Sequence, residues 1–259
     1  MSEQYYEFCE SLWTWAFDNS LKRRISSQLA ANFDLEFAPE PYLILGSSQS
    51  FHPKQYLHLL LANPGKGLKI QRPEAIRAGE IPDVTERIPY REVAGKIALH
   101  YKTYFAQHPS LEPALRRFNK AEQLSAMSGY EGRVFHADTI PWHSHDLPSK
   151  NDLPFAIEHC SLTNKYGEHL RSYLADKSVL SIDGMLDTSG AWLQYKAKLM
   201  GMDYSNAREV VIKRKDCKVT CAAYVFKADG VTKIQYCVTG NNNLPDQAGL
   251  SILADQLVR

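Results

Sequence analysis

The stretch from Tyr56 to Gly67, YLHLLLANPGKG, constrains the fold of this chain more than any other. Its first half is an almost unbroken apolar run, which is typical of a strand buried on both faces of a parallel sheet. The run stops at Asn63-Pro64-Gly65, where proline interrupts strand pairing and glycine permits a positive φ angle. Open α/β sheets bind ligands at the carboxyl ends of such strands. Asn63 is therefore a candidate functional residue; the alternative is that it only opens the turn, as Asn-Pro often does.

The composition predicts a folded intracellular protein. The chain has 259 residues, 44% apolar and 23% charged, which is enough to bury a complete core. Its net charge of +1 neither requires nor excludes DNA, so DNA binding would need a local basic face. The five cysteines include no C-x-x-C pair, so neither a zinc ribbon nor an iron–sulfur cluster is indicated. Without a secretory leader or a long apolar segment, we expect a reduced, cytoplasmic protein that does not span a membrane.

Alternating strand and helix patterns predict a single three-layer α/β/α domain with a central, mostly parallel sheet of about four strands. N-terminal helices would occupy residues 1–40 and the α/β core residues 41–259. Ala228-Asp229-Gly230 predicts a hairpin turn between two strands near the C-terminus. Strand patterns lie at 42–45, 56–62, 133–138, 178–183, 208–226 and 232–239, and helical patterns at 3–31, 91–107, 111–127, 154–176, 189–200 and from Asp246 onward.

Polar residues follow three of the predicted strands. They are Asn63, Asp138 and the Asn241–Asn243 run. Because parallel strands end at the same edge of a sheet, these groups are predicted to surround one pocket.

The motifs at these strand ends resemble those of the uracil-DNA glycosylase superfamily. Residues 61–65 (LANPG) look like its first motif, a strand followed by Asn-Pro-Gly or Asp-Pro. Residues 135–141 (FHADTIP) look like its middle strand, and 241–245 (NNNLP) stand where the family has a His-Pro-Ser-Pro-Leu loop. The resemblance implies a cofactor-independent, monomeric enzyme that flips a base out of DNA and hydrolyses its bond to the sugar. Asn63 would position or activate the attacking water.

The third motif departs from the family because it lacks the histidine that helps to stabilise the departing base. Asn242 or Asn243 would donate a neutral hydrogen bond in its place. Leu244 stands roughly where the family inserts an apolar wedge into the duplex; the alternative is that it packs on the C-terminal helix.

Asp138 stands where the family usually places an asparagine that reads the flipped base. An amide matches uracil, whereas a protonated carboxylic acid donates to N3 of cytosine and accepts from its N4 amine. The predicted substrate is therefore a cytosine-type base, and a modified one, because removing ordinary cytosine would damage the cell's own genome. The long segment 64–90 would suit a bulky 5-substituent such as glucosylated hydroxymethylcytosine, and the chain resembles the phage-defence glycosylases of the superfamily. A uracil-type repair glycosylase is the alternative.

Further contacts are implied by the resemblance. Pro64 and Gly65 would line the base pocket, and Tyr90 would stack on the base or lie in the core. Backbone N–H groups near 64–67 and 241–243 would stabilise the base anion. Candidate phosphate contacts are Lys66, Lys69, Arg72 and Lys213-Arg214-Lys215, each of which could instead be solvated surface.

Two other functions remain open from the sequence. His143 and His145 form an H-x-H element in the segment 139–146, which we expect to be a turn, and such pairs occur in metal-dependent hydrolases. His136, His159 and His169 would complete that metal site. Otherwise His143 and His145 would contact DNA and no metal would be bound. The third function is a non-catalytic nucleic-acid-binding protein, for which Asn63 would be dispensable.

Overall fold

The secondary structure follows the predicted alternation of strands and helices. A computed structural model of the chain describes residues 7, 10–11, 36–37, 57–61, 112–130, 134–140, 142–143, 161–183, 191–213, 220–237 and 244–258. The strands are β1 (Glu36–Phe37), β2 (Leu57–Leu61), β3 (Val134–Asp138), β4 (Trp142–His143), β5 (Val179–Asp183), β6 (Arg208–Lys213), β7 (Thr220–Ala228) and β8 (Val231–Cys237). The helices are α1 (Glu112–Met127), α2 (Ser161–Leu174), α3 (Ala191–Met200) and α4 (Gln247–Leu257). The strand pattern at 42–45 and the helical patterns at 3–31 and 91–107 lie wholly or largely outside the described residues.

Four of the six strands described in the main sheet are parallel neighbours, in the order β3-β2-β5-β8. The apolar run of β2 is buried as its pattern predicts, with Leu57, Leu59 and Leu60 at most 1% exposed. Fully burying a leucine side chain contributes about 1.5–3 kcal/mol. The prediction of a mostly parallel α/β sheet is confirmed.

The remaining two strands, β7 and β6, pair antiparallel and make the main sheet larger than the predicted four strands. β7 pairs antiparallel with β8, and β6 pairs antiparallel with β7, which gives six strands in the order β3-β2-β5-β8-β7-β6. The hairpin predicted at Ala228-Asp229-Gly230 is present. Asp229 (φ 51°) and Gly230 (φ 76°) are both left-handed, as a two-residue turn between tightly twisted strands requires. The prediction of about four strands was wrong because β7 joins the parallel strands by pairing with β8 across this turn, and β6 then pairs with β7.

Helices lie on both faces of this sheet. On one face Tyr173 of α2 contacts His58 of β2, and Lys196 of α3 contacts Ser181 of β5. Gly249 of α4 packs against Ile212 of β6, whose side chain points to the opposite face by the register of the strands. α1 packs on α4 and on β2. Of the helices in the described ranges, two therefore cover each face of the sheet.

The C-terminal helix begins where the sequence predicts. Asp246 is the N-cap of α4, and its side chain accepts a hydrogen bond from the Gly249 N–H at 2.9 Å. None of the helices in the described ranges is long and apolar enough to cross a bilayer.

Candidate functional site

The carboxyl edge of the sheet, where β2, β3, β5 and β8 end, is the candidate site. The chain leaves β2 towards β3 on one side and returns to β5 on the other, so the strand order reverses between β2 and β5. Ligands of open α/β sheets bind outside the strand ends at such a reversal. The ends are level with one another, since Leu61 is in register with Asp138 and Asp183 with Cys237.

Asp138 is held at this edge with its side chain buried. It is the last residue of β3 and is 5% exposed, and its neighbours Thr139 and Ile140 are fully buried. Its backbone register with Leu61 places it across from the end of β2, two residues before Asn63. The carboxyl group thus lies in dry surroundings, beside the strand that leads to Asn63.

Thr139 joins the end of β3 to the end of β2. Its backbone N–H donates to the Leu61 carbonyl at 2.9 Å, and its hydroxyl donates to the same oxygen. Sequence analysis did not identify Thr139. A hydroxyl residue directly after a strand end was the available signal, but its acceptor lies 78 residues away along the chain.

Tyr166 of α2 fixes the backbone of Asp138 from the helical layer. Its hydroxyl donates to the Asp138 carbonyl oxygen at 2.5 Å, and its side chain is 4% exposed. Burial, followed by the negative charges of Asp138 and Tyr195, raises the pKa of Tyr166 well above its usual range. Tyr166 therefore remains a hydroxyl donor throughout the physiological pH range.

Gly167 allows α3 to approach α2 closely behind this contact. A Cβ atom on Gly167 would lie 2.7 Å from the hydroxyl oxygen of Tyr195, closer than real Cβ atoms pack. Sequence analysis also missed Tyr166 and Gly167. A glycine in a helix interior, which costs helix stability, was the signal of a close contact.

A polar layer lies beneath the edge, between β5, β8 and α3. Lys196 is 1% exposed, and its ammonium group donates to the Ser181 hydroxyl at 3.3 Å. Gln235, fully buried on β8, accepts a hydrogen bond from the Tyr204 hydroxyl and donates to the Leu193 carbonyl at 3.4 Å. Lys196 was detectable from sequence, because its spacing from Leu193 and Met200 places it on the apolar face of α3.

Two further predicted site residues fall within the described ranges. Leu244 is half-buried and lies two residues before the N-cap of α4. Lys213 is the last residue of β6, with Thr220 as its register partner. Of the predicted histidines, His136 lies in β3, His143 in β4 and His169 in α2. The remaining predicted contacts lie outside the described residues: Asn63, Pro64, Gly65, Lys66, Lys69, Arg72, Tyr90, His145, His159, Asn241, Asn242, Asn243, Arg214 and Lys215.

The histidine segment differs from its prediction. We expected a turn throughout 139–146, but residues 142–143 form β4, which pairs antiparallel with β1 and puts His143 in register with Glu36. The local pattern did not reveal this ladder because its partner, β1, lies about a hundred residues earlier in the chain. In the part of the chain that the structure describes, no three His, Cys, Asp or Glu side chains are grouped as a metal site would need.

The carboxyl edge thus presents a buried carboxyl group on a fixed backbone, next to the strand that leads to Asn63. Such a group can read the hydrogen-bonding edge of a planar ligand, because it both accepts and, when protonated, donates. Comparisons of this chain with protein-family models, with curated proteins and with solved structures gave no match.

Proposed function

We propose that this chain is a DNA glycosylase that flips a modified cytosine out of DNA and hydrolyses its N-glycosidic bond. The observation that carries the proposal is the position of Asp138. It is buried at the end of β3 and in register with Leu61, the last residue of β2. Leu61 in turn lies two residues before Asn63 in the sequence. The proposal assigns base reading to this strand end and water positioning to Asn63, which follows the neighbouring strand end in the sequence.

Asp138 reads the base through its carboxyl group. Cytosine presents N3 as an acceptor and its N4 amine as a donor, and a carboxylic acid matches this pattern by donating to N3 and accepting from N4. Uracil presents a donor at N3 and an acceptor at O4, which an amide would match better. Burial supports this role, since hydrogen bonds that compete with no water discriminate more strongly between bases.

Asn63 orients the water that attacks the sugar. The water oxygen bonds to C1′, the bond from C1′ to N1 of the base breaks, and its electron pair leaves with the base. The proton released by the water passes to solvent or to the base. Backbone N–H groups near 64–67, from Gly65 onward, and of 241–243, with Asn242 or Asn243, stabilise the base anion. Flipping the base costs a few kcal/mol, which contacts in the pocket offset.

The test is incubation of the purified protein, with EDTA present, on oligonucleotides that carry uracil, cytosine, 5-hydroxymethylcytosine or its glucosylated form. Alkali converts abasic sites into strand breaks. We expect breaks at a modified cytosine. Breaks at uracil alone would retain the glycosylase and refute cytosine reading. Activity that appears only when a divalent metal is added would favour the metal-dependent hydrolase with His143 and His145, and DNA binding without any strand break would favour the non-catalytic protein.

Asp138→Asn tests the base reader. An amide presents the uracil-type pattern, so we expect the ratio of activity on the cytosine derivative to activity on uracil to fall roughly ten- to hundredfold. The matched control is Asp229→Asn, an exposed position in the hairpin turn where asparagine tolerates the left-handed backbone. This turn precedes β8 and so lies at the opposite edge of the sheet from Asp138. An unchanged ratio in Asp138→Asn would refute the role of Asp138.

A further inference from the structure

We infer that Tyr166 is a positioning residue that sets base preference by holding Asp138 in place. The inference rests on the proposed function and extends it to a residue of the helical layer that would not itself touch the base. Its hydroxyl donates to the Asp138 carbonyl at 2.5 Å, with both residues buried.

The contact matters because Asp138 is the last residue of its strand. Residues within β3 are fixed by pairing with β2, whereas the chain turns away from the sheet directly after Asp138. Three hydrogen bonds hold the chain at the strand end: the Thr139 N–H and hydroxyl both donate to the Leu61 carbonyl, and the Tyr166 hydroxyl donates to the Asp138 carbonyl. The Thr139 contacts tie the turn to β2, and the Tyr166 contact ties the strand end to α2.

Tyr166 is buried in the contact between α2 and α3. The next residue, Gly167, leaves room for the Tyr195 hydroxyl of α3, so the two helices pack closely beside Tyr166. A carboxyl group that must distinguish N3 as acceptor from N3–H as donor has to be held within a fraction of an ångström. Loss of the Tyr166 hydroxyl would loosen Asp138 and weaken that discrimination without removing any group that contacts the base.

Tyr166→Phe tests the inference, with Tyr173→Phe as the matched control. Both tyrosines lie on α2 and are buried to the same degree, at 4% and 3% exposed. The Tyr173 hydroxyl is 3.2 Å from Nε2 of His58, which lies in the middle of β2, three residues before the strand end that pairs with Asp138. Each substitution removes one buried hydroxyl and keeps the ring, so a general loss of stability would affect both variants alike.

We expect Tyr166→Phe to lower the cytosine-to-uracil activity ratio about tenfold, as the loss of one hydrogen bond implies, while Tyr173→Phe leaves the ratio unchanged. In the background of Asp138→Asn, Tyr166→Phe should change the ratio by less than in the wild type, because the two residues act through one group. Amide hydrogen exchange at 134–140 should be faster in Tyr166→Phe than in Tyr173→Phe.

The failures are distinguishable. A wild-type protein that cleaves modified cytosine, together with a Tyr166→Phe variant of unchanged ratio and unchanged exchange, would overturn the inference and leave the proposed function intact. A wild-type protein that forms no abasic site on any oligonucleotide would refute the proposed function and the preference assigned to Tyr166 together. Equal losses in Tyr166→Phe and Tyr173→Phe would overturn the inference in favour of a purely structural role.

Discussion

Lys233 carries a buried amino group whose charge bears on stability. It is 2% exposed on β8, and its ammonium group donates to the carbonyls of Leu174, at 2.5 Å, and of Lys177. These carbonyls lie at the C-terminal end of α2, where a cation is favourable. Burial nevertheless lowers the pKa of Lys233 to about 8, with Asp176 raising it and Lys177 lowering it further. Desolvation thus outweighs the attraction of the helix end.

This pKa predicts a pH dependence of stability. Between about pH 8 and 10.5 the folded protein has lost the Lys233 proton while the unfolded chain keeps it, so the unfolded state binds more protons and stability rises with pH. Below about pH 8 both states are protonated, and the full cost of burying the charge is present. Relative to Lys233→Met, the wild type should therefore gain about 2 kcal/mol in free energy of unfolding between about pH 7.5 and 9.5.

Urea unfolding at several pH values measures this difference. Lys227→Met, at an exposed position of the same hairpin, is the control and should keep the pH dependence of the wild type. If the free energy of unfolding varied with pH in the same way for the wild type and Lys233→Met, Lys233 would keep its proton in the folded state.

At the level of elements, the contact between α2 and α3 depends on Gly167. In an exposed helix interior, replacing glycine by alanine stabilises by up to about 1 kcal/mol. At Gly167 the added Cβ would lie 2.7 Å from the buried Tyr195 hydroxyl and 3.4 Å from Leu199, so Tyr195 has to shift. We therefore expect the stability change to have the opposite sign here, with Gly167→Ala lowering the free energy of unfolding by about 1–3 kcal/mol.

Thermal unfolding checks this prediction. Asn164→Ala, at an exposed position one turn earlier in α2, should be neutral or slightly stabilising, because alanine is the better helix former. A Gly167→Ala variant as stable as the wild type would mean that the two helices separate without cost.

The elements themselves were largely predictable, whereas the contacts between them were not. Apolar runs identified β2, β3 and β5, and helical spacing identified α1 to within one residue, because both signals are local. The position of Asp138 at a strand end followed from the same local pattern. The hydrogen bonds of Thr139 and Tyr166 could not be predicted in this way, because their partners depend on the register of β2 with β3 and on how α2 packs on the sheet. The sheet was underestimated for the same reason, since strand count depends on which hairpins join the core.

At the level of the whole molecule, the net charge bears on the proposed binding of DNA. A net charge of +1 gives no long-range attraction to a polyanion, so the proposal requires local phosphate contacts, which it assigns to the carboxyl edge. The segment 64–90 continues from β2 at that edge and carries Lys66, Lys69 and Arg72. In contrast, α2 and α3 carry basic residues in their last turns, near the opposite edge where Lys233 meets the end of α2.

Salt dependence distinguishes the two sets of basic residues. Each phosphate contact with duplex DNA contributes about 0.9 to the slope of log binding constant against log salt concentration. Replacing Lys66, Lys69 and Arg72 together by alanine should therefore lower the slope by about 2.7 and weaken binding to all sequences alike. The control replaces Lys198, Lys227 and Arg171 by alanine. These residues are exposed, and replacing them removes the same total charge. The control should leave the slope unchanged, because these residues lie away from the carboxyl edge. Equal reductions in both triple variants would mean that DNA responds only to net charge, and the carboxyl edge would then not be where the duplex is held.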